Sequence, residues 1–370
     1  MNGLLGTSDR IAYREGCDTL CLVARTPRRP RVSDIAAQSG LSRATVDRVL
    51  HGREGVRAET VAQVERAVAE LERQRTQVSL SGRTLLLDLV MQAPERFSTA
   101  SRQALEAELA SLRPAVLRSR AHLGEHSDPE AATAMLERVA DRGSDGVILK
   151  APDHPLVAAA VARLADRGTP VVTFVTDVPG SARAAYVGVD NHAAGATAAY
   201  LVTSWARQDG PVLVTLSSSS FHGEEGREAG FRATMADLAP QRTVHEVTDT
   251  DGLDATMRAA VRGTLEAEPG IAACYSIGGG NRAILNVFDE LGRTPEVFVA
   301  HDLDADNRRL LRTRRISAVL HHDLRADMRR ACRLLLQARG VLPGSPASVP
   351  SQIQVVTPFN EPSALLVDRD

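Results

Sequence analysis

The chain has 370 residues, 44 basic and 46 acidic side chains, a net charge of −2, and 43% hydrophobic residues. That length allows two or three domains with sizeable cores, and the composition is that of a globular protein rather than a fibrous or disordered one. No apolar run approaches the roughly 18 residues of a membrane span, and the scattered Cys17, Cys21, Cys274 and Cys332 match neither a disulfide framework nor a metal-ligand spacing.

Residues 1–29 carry charges of both signs and no continuous apolar core. They are expected to form a flexible tail rather than a secretion signal, so a cytoplasmic protein is expected. Residues 30–72 read as three short helices. Ser33 is placed to cap the first, Asp34 to Gln38, which Gly40 ends. Ser42 caps a second, Arg43 to Leu50, which stops at His51-Gly52. A third spans Glu59 to Leu71, with Val61, Val64, Ala67, Val68 and Leu71 at helical spacing. Two helices joined by a short glycine-containing turn form a helix-turn-helix, with Ile35, Ala36, Leu41, Val46, Val49 and Leu50 as its core. From Arg25 to Thr60, eight arginines face only four carboxylates. Local positive charge on a nearly neutral chain suits a phosphate backbone.

Residues 73–83 are polar and without a strong pattern, and read as a hinge or linker. From Thr84 the pattern changes to short apolar runs alternating with helical stretches, beginning TLLLDLVM and ending QIQVVTP. Such alternation predicts parallel sheets covered by helices on both faces. The expected fold is a small all-α helix-turn-helix domain followed, over 84–361, by an α/β domain of two lobes. Ligands of open α/β sheets bind beyond the carboxyl ends of the strands. The polar and aromatic residues there are Gln92, Phe97, Lys150, Asp177, Asp190, Asn191, His222, Arg227, Asn281, Asp302 and His322. Carboxylates, amides, Arg, His and an aromatic ring together suit a polyhydroxylated small molecule such as a sugar or polyol. Lys150 is the only lysine in the chain.

IAAQSGLSRATVDRVLHG followed by VRAETVAQVERAVAEL resembles the headpiece of the LacI/GalR repressors. The resemblance implies that the second helix enters the major groove. Arg43, Ala44 and Arg48 would then face base edges, and Ser42 and Thr45 would hold phosphates. Ser33, His51 and Arg57 complete the expected DNA-binding set, and Leu80 is the expected minor-groove wedge of the hinge. Arginine can donate two hydrogen bonds to guanine, and a small residue can meet a thymine methyl. Asp47 departs from the small hydroxyl residue usual there; it either repels phosphate or pairs with an arginine.

YVGVDNHAAGATAAYLV, GREAGFRATM, IGGGNRAI, AHDLDADNRRLL and AVLHHD resemble, in order, segments of the periplasmic-binding-protein-like effector domain of the same family. This implies one lobe of about 84–189 with 322–342, and another of about 190–321 with 343–361. It also implies ligand contacts from Arg227, Asn281, Asp302 and His322, the last in place of the commoner amide. The whole implies a DNA-binding transcriptional regulator, a repressor in most of the family. It would act as a homodimer on double-stranded operator DNA and respond to a sugar-like effector, without cofactor, metal or membrane partner.

An enzyme is the rival class. His321-His322-Asp323 lacks metal-site spacing, SIGGGN lacks a phosphate-loop pattern and is expected to turn a strand into a helix, and there is no G-x-S-x-G elbow. No enzymatic activity is therefore expected. A transport binding protein is disfavoured by the attached headpiece.

Overall fold

The computed structural model describes residues 30–80, 82–112 and 115–362. The expected tail of residues 1–29, with Cys17 and Cys21, lies outside them, as does the side chain of Leu80.

Three helices open the chain: α1 (Val32–Ser39), α2 (Arg43–Leu50) and α3 (Ala58–Leu80). Gly40 ends α1 at φ 69°, a left-handed turn that glycine adopts at little cost. Ser42 caps α2 by accepting from the Thr45 amide at 3.1 Å. The expectation for Ser33 fails: α1 starts at Val32, so Ser33 lies inside the first turn and donates to Asp34 at 3.1 Å. Ile35, Ala36, Val46, Val64 and Ala67 form the headpiece core. Leu50, expected in that core, is 46% exposed at the C-terminal end of α2.

The expected break near Leu71 does not occur. The polar segment after it continues α3 to Leu80. Its residues are good helix formers, and Glu70 pairs with Arg73 and Gln74 one turn on. Arg75 reaches back to Asp34 of α1 at 3.2 Å, tying the extension to the headpiece.

The remaining elements alternate. β1 (Thr84–Gln92), α4 (Glu95–Leu109), β2 (Val116–Gly124), α5 (Pro129–Arg142), β3 (Gly146–Lys150), α6 (Pro155–Asp166), β4 (Val171–Phe174) and β5 (Ala185–Val187) come first. Then follow α7 (Asn191–Trp205), β6 (Val212–Thr215), α8 (His222–Leu238), β7 (Val244–Val247), α9 (Asp254–Ala267), β8 (Ala273–Ser276), α10 (Asn281–Glu290), β9 (Val297–His301), α11 (Ala305–Arg312) and β10 (Ala318–His321). α12 (Leu324–Ala338) and β11 (Gln354–Val356) close the described chain.

The first sheet has the order β2-β1-β3-β4-β5 and is parallel throughout. The second has the order β11-β10-β9-β8-β6-β7, parallel except for β11, which runs antiparallel at the edge. Alternation along β1 sends Leu87, Leu89 and Met91 to a face shared with α4 and α12, and Val90 to the face covered by α5 and α6. The chain passes to the second sheet through α7, returns through α12 to pack on the first, and passes back to β11. β7 and α11 are additions to the sequence reading. His245 and Glu246 interrupt the apolar run of β7, and α11 is short and polar. Among the described residues, no helix is long and apolar enough to cross a membrane.

Candidate functional site

On the headpiece, Ser42, Arg43, Ala44, Arg48, His51 and Arg57 are all exposed, and Thr45 is half-buried. Ser42 and Thr45 share a 2.9 Å hydroxyl contact. Arg48 is not free: its guanidinium donates to the Glu54 carbonyl at 2.7 Å and holds the loop after α2. Asp47 takes the pairing alternative, with His51 at 3.2 Å and Arg53 at 3.8 Å. Its charge is thereby partly offset on a face that would meet phosphate.

The second site is the cleft between the sheets, about 610 Å3 of space with its open mouth included. The first lobe contributes Arg96 and Phe97 after β1, Lys150 at the end of β3, and Val175 and Thr176 after β4. The second contributes Ser217 after β6, Phe221, Glu224 and Arg227 around the start of α8, Ile277 to Gly279 after β8, and His301, Asp302, Asp304 and Asn307 around the end of β9. Each group lies at a strand's carboxyl end.

Local packing aims these side chains. α7 and α8 meet through glycines: a Cβ on Gly195 would lie 1.8 Å from the Arg227 carbonyl oxygen, and one on Gly230 would lie 2.1 Å from that of His192. Only glycine permits this approach, which seats Arg227 against Asn191; the Arg227 Nε donates to the Asn191 amide oxygen at 2.8 Å. Gly279, at φ 95°, leaves room for the Arg96 guanidinium. Val175 and Asp302, one from each lobe, adopt left-handed backbone without being glycine, a conformation that costs about 1–3 kcal/mol and clusters at functional sites.

The lobes already touch across the cleft. Arg96 pairs with Asp304 at 3.3 Å and donates to the Gly252 carbonyl. Lys150 lies 3.7 Å above the Phe221 ring. At the rim, His126 meets Asp251 at 2.9 Å and Ser127 meets Ser220 at 2.8 Å.

The charges are strongly perturbed. Burial brings the Lys150 ammonium down to about 8 and lifts the Asp304 carboxyl to about 6. Burial, reinforced by Arg227, keeps His301 neutral, and the Tyr275 hydroxyl contacts it at 2.7 Å. His322 lies behind Asp302, 3.6 Å from it, which is ion-pair reach but too long for a hydrogen bond. Its other ring nitrogen is 2.6 Å from Asp327. Burial disfavours the imidazolium, but the two carboxylates outweigh it and push His322 up to about 9. Burial likewise opposes ionisation of Asp302, yet His322 and Arg227 hold its carboxyl well below the usual range. Among the described residues, the Asp302 Oδ1 has no hydrogen-bond partner.

Of the ligand residues expected from sequence, Phe97, Lys150, Arg227 and Asp302 line the cleft. Asn191 and His322 stand one layer behind, on Arg227 and Asp302. Asn281 bonds Asn307 at 2.7 Å and supports it. The other four lie elsewhere. Gln92 is spent on both backbone groups of Asp128, Asp177 on Arg183, Thr173 and the Val178 amide, and Asp190 on capping α7. His222 is exposed at the start of α8 and is not among the residues lining the cleft. Sequence reasoning missed Arg96, Thr176, Ser217, Phe221, Glu224, His301, Asp304 and Asn307. Five of these, Arg96, Thr176, Ser217, His301 and Asp304, lie within four residues of the end of a strand.

A helix-turn-helix joined to a two-lobed cleft is the architecture of a ligand-responsive, DNA-binding regulator. Residues 31–74 match the family of bacterial regulatory proteins of the lacI type, and residues 89–340 match the periplasmic binding protein domain. The chain belongs to the lacI family, with a periplasmic-binding-protein domain as its larger part. No curated protein matches it in sequence. Among solved structures it is similar to GanP, a glucose-galactose binding protein from Geobacillus stearothermophilus (18% identity, 76% of this chain and 99% of that one, TM-score 0.68). It is also similar to a putative LacI transcriptional regulator from Bacteroides fragilis (15%, 75% and 98%, 0.66). A third is an ABC transporter solute binding protein from Burkholderia graminis, solved with D-arabinose (20%, 77% and 98%, 0.68). At these identities the likeness speaks to the fold.

Proposed function

We propose that the protein is a cytoplasmic repressor that binds a near-palindromic operator as a homodimer and is controlled by a sugar-like molecule in the interlobe cleft. Residues 30–72 act as the DNA-binding unit, 73–83 as the link and 84–361 as the effector unit. Each headpiece places α2 in a major groove, with Arg43 and Ala44 toward base edges, Ser42 and Thr45 toward phosphate, and Arg48 bracing the loop that follows.

The observation that carries the effector half is the unmet polarity of the cleft. The Asp302 Oδ1 and the terminal nitrogens of Arg227 have no hydrogen-bond partner among the described residues. Neighbouring hydroxyls of a sugar donate to a carboxylate and accept from a guanidinium. Phe97 and Phe221 supply apolar faces for the ring. Two of the similar folds described above belong to proteins named for, or solved with, sugars, which supports the class. Ligand-driven closure changes DNA affinity only if the two states bind ligand differently. The cleft binds its ligand without turning it over.

The test has two arms. Thermal unfolding of the full chain is read against sugars, sugar acids, sugar phosphates, polyols and nucleosides, where a ligand at a hundred times its Kd adds about 2.7 kcal/mol. DNA sites selected from a random library are then titrated with and without the hit. A hit that leaves DNA affinity unchanged rules out the regulatory reading.

A further inference from the structure

The cleft holds two buried cations, neither of them in direct contact with a carboxylate of the described residues. Lys150 is 7% exposed and Arg227 is 3% exposed, and both line the cleft. The Lys150 Nζ donates to the Gln92 carbonyl at 2.9 Å and otherwise faces the Phe221 ring. Arg227 makes its one hydrogen bond through Nε, to an amide. Among the described residues, neither cation has a carboxylate within 4.0 Å.

The carboxylates of the cleft are engaged elsewhere or backed by another cation. Glu224 accepts from the amide and hydroxyl of Ser217. Asp304 accepts from the Asn307 amide and pairs with Arg96. Asp302 has the imidazole of His322 behind it. Burying a charge without a directly paired partner is expensive, and a bound anion would lower that cost. Burial holds the Lys150 ammonium down at about 8, with Arg227 pressing it further down against Glu224 and Asp302. An anion between the two cations would relieve that penalty.

The residue type points the same way. Of 44 basic side chains, 43 are arginine, and the one lysine stands here. A lysine at the end of a buried strand delivers a compact charge that a bulkier guanidinium does not.

We propose that the cleft takes an acid-bearing polyhydroxylated ligand, a sugar acid or sugar phosphate, whose carboxylate or phosphate sits between Lys150 and Arg227 while its hydroxyls meet Asp302. This rests on the carbohydrate reading above and narrows it.

The test is calorimetric titration of the full chain with matched sets: glucose, gluconate, glucuronate and glucose 6-phosphate, then arabinose, arabinonate and arabinose 5-phosphate, with malate and citrate as acids without a sugar. At least one sugar acid or phosphate should bind tenfold or more tighter than its neutral parent, and the carboxylate and phosphate arms tell the two anions apart. Lys150→Met should remove most of that preference and Arg227→Lys should retain part of it; Lys150→Gln repeats the test if Lys150→Met does not fold. A neutral parent binding as tightly as its acids overturns the anion and leaves the carbohydrate reading standing. Binding of malate or citrate alone overturns the carbohydrate reading and leaves the anion. No binding across all sets overturns both.

Discussion

The headpiece and the cleft both present positive charge, but they hold it in opposite ways. Arg43, Arg53 and Arg57 stand exposed, where salt screens them over about 8 Å and any phosphate backbone serves as partner. Lys150 and Arg227 are buried between two lobes, where nothing screens them and a mismatched partner is costly. Exposed charge gives attraction with little selectivity; buried charge gives selectivity at the expense of stability. One sign of charge can thus serve a polymer at one end of the chain and a single small molecule at the other.

The largest expected effect breaks the buried half. Arg227→Ala or Asp302→Ala should lower ligand affinity by about a hundredfold or more, since each leaves its partner unpaired in a closed cleft. Operator binding should persist. If either residue serves only an ion pair within its lobe, calorimetry will find ligand affinity near normal and stability reduced.

Next comes His322, which supports Asp302 from behind. His322→Gln should cost about 3 kcal/mol, because Asp302 and Asp327 lose the cation between them. The folded-state pKa of His322 is raised from 6.5 to about 9. Its stabilisation is therefore fully present below about 6.5 and lost as the pH rises through about 9. Denaturant unfolding of wild type and variant from pH 6 to 10 should show the gap narrowing over that window. A constant gap would mean that packing, not charge, is what His322 supplies.

How much of this was legible in the sequence depends on how local the cause is. Gly40 and Ser42 act within one turn, and they end the first helix and start the second where the sequence placed those boundaries. The strand-helix alternation likewise located the cleft, because strand ends face it in any open α/β sheet. What strand ends do not tell is direction. Gln92 and Asp190 sit at the right ends but satisfy backbone groups beside them. Arg96, Glu224 and Asp304 face the cleft because two lobes from distant stretches of chain meet there. The helical link after Leu71 was missed for a different reason. Residues 72–75 and Val78 there are exposed, and the Arg75–Asp34 pair that anchors it spans 41 positions.

The exposed half is broken more gently. Arg43→Ala should cost about 1–3 kcal/mol on the selected site and relax sequence preference there. Arg48→Ala should act differently, because its guanidinium is occupied by the Glu54 carbonyl. It should loosen the loop and weaken specific and random DNA alike. Fluorescence anisotropy on both DNAs separates the two, and equal losses for Arg43→Ala would mark that residue as a phosphate contact. The smallest effect is Ser42→Ala, which removes the cap on Thr45 and should cost about 1 kcal/mol of headpiece stability. An unchanged headpiece unfolding transition in the full chain would assign the cap no energetic role.

If filling the cleft changes the grip on DNA, operator affinity must depend on ligand concentration. Operator affinity of the full chain is measured by anisotropy across a range of ligand concentrations, for wild type and for Arg227→Ala. Wild-type affinity should shift at least fivefold, with a midpoint at the calorimetric Kd, and the variant should show the same DNA affinity at every ligand concentration. A ligand that saturates the wild-type cleft while its DNA affinity stays constant would contradict this coupling.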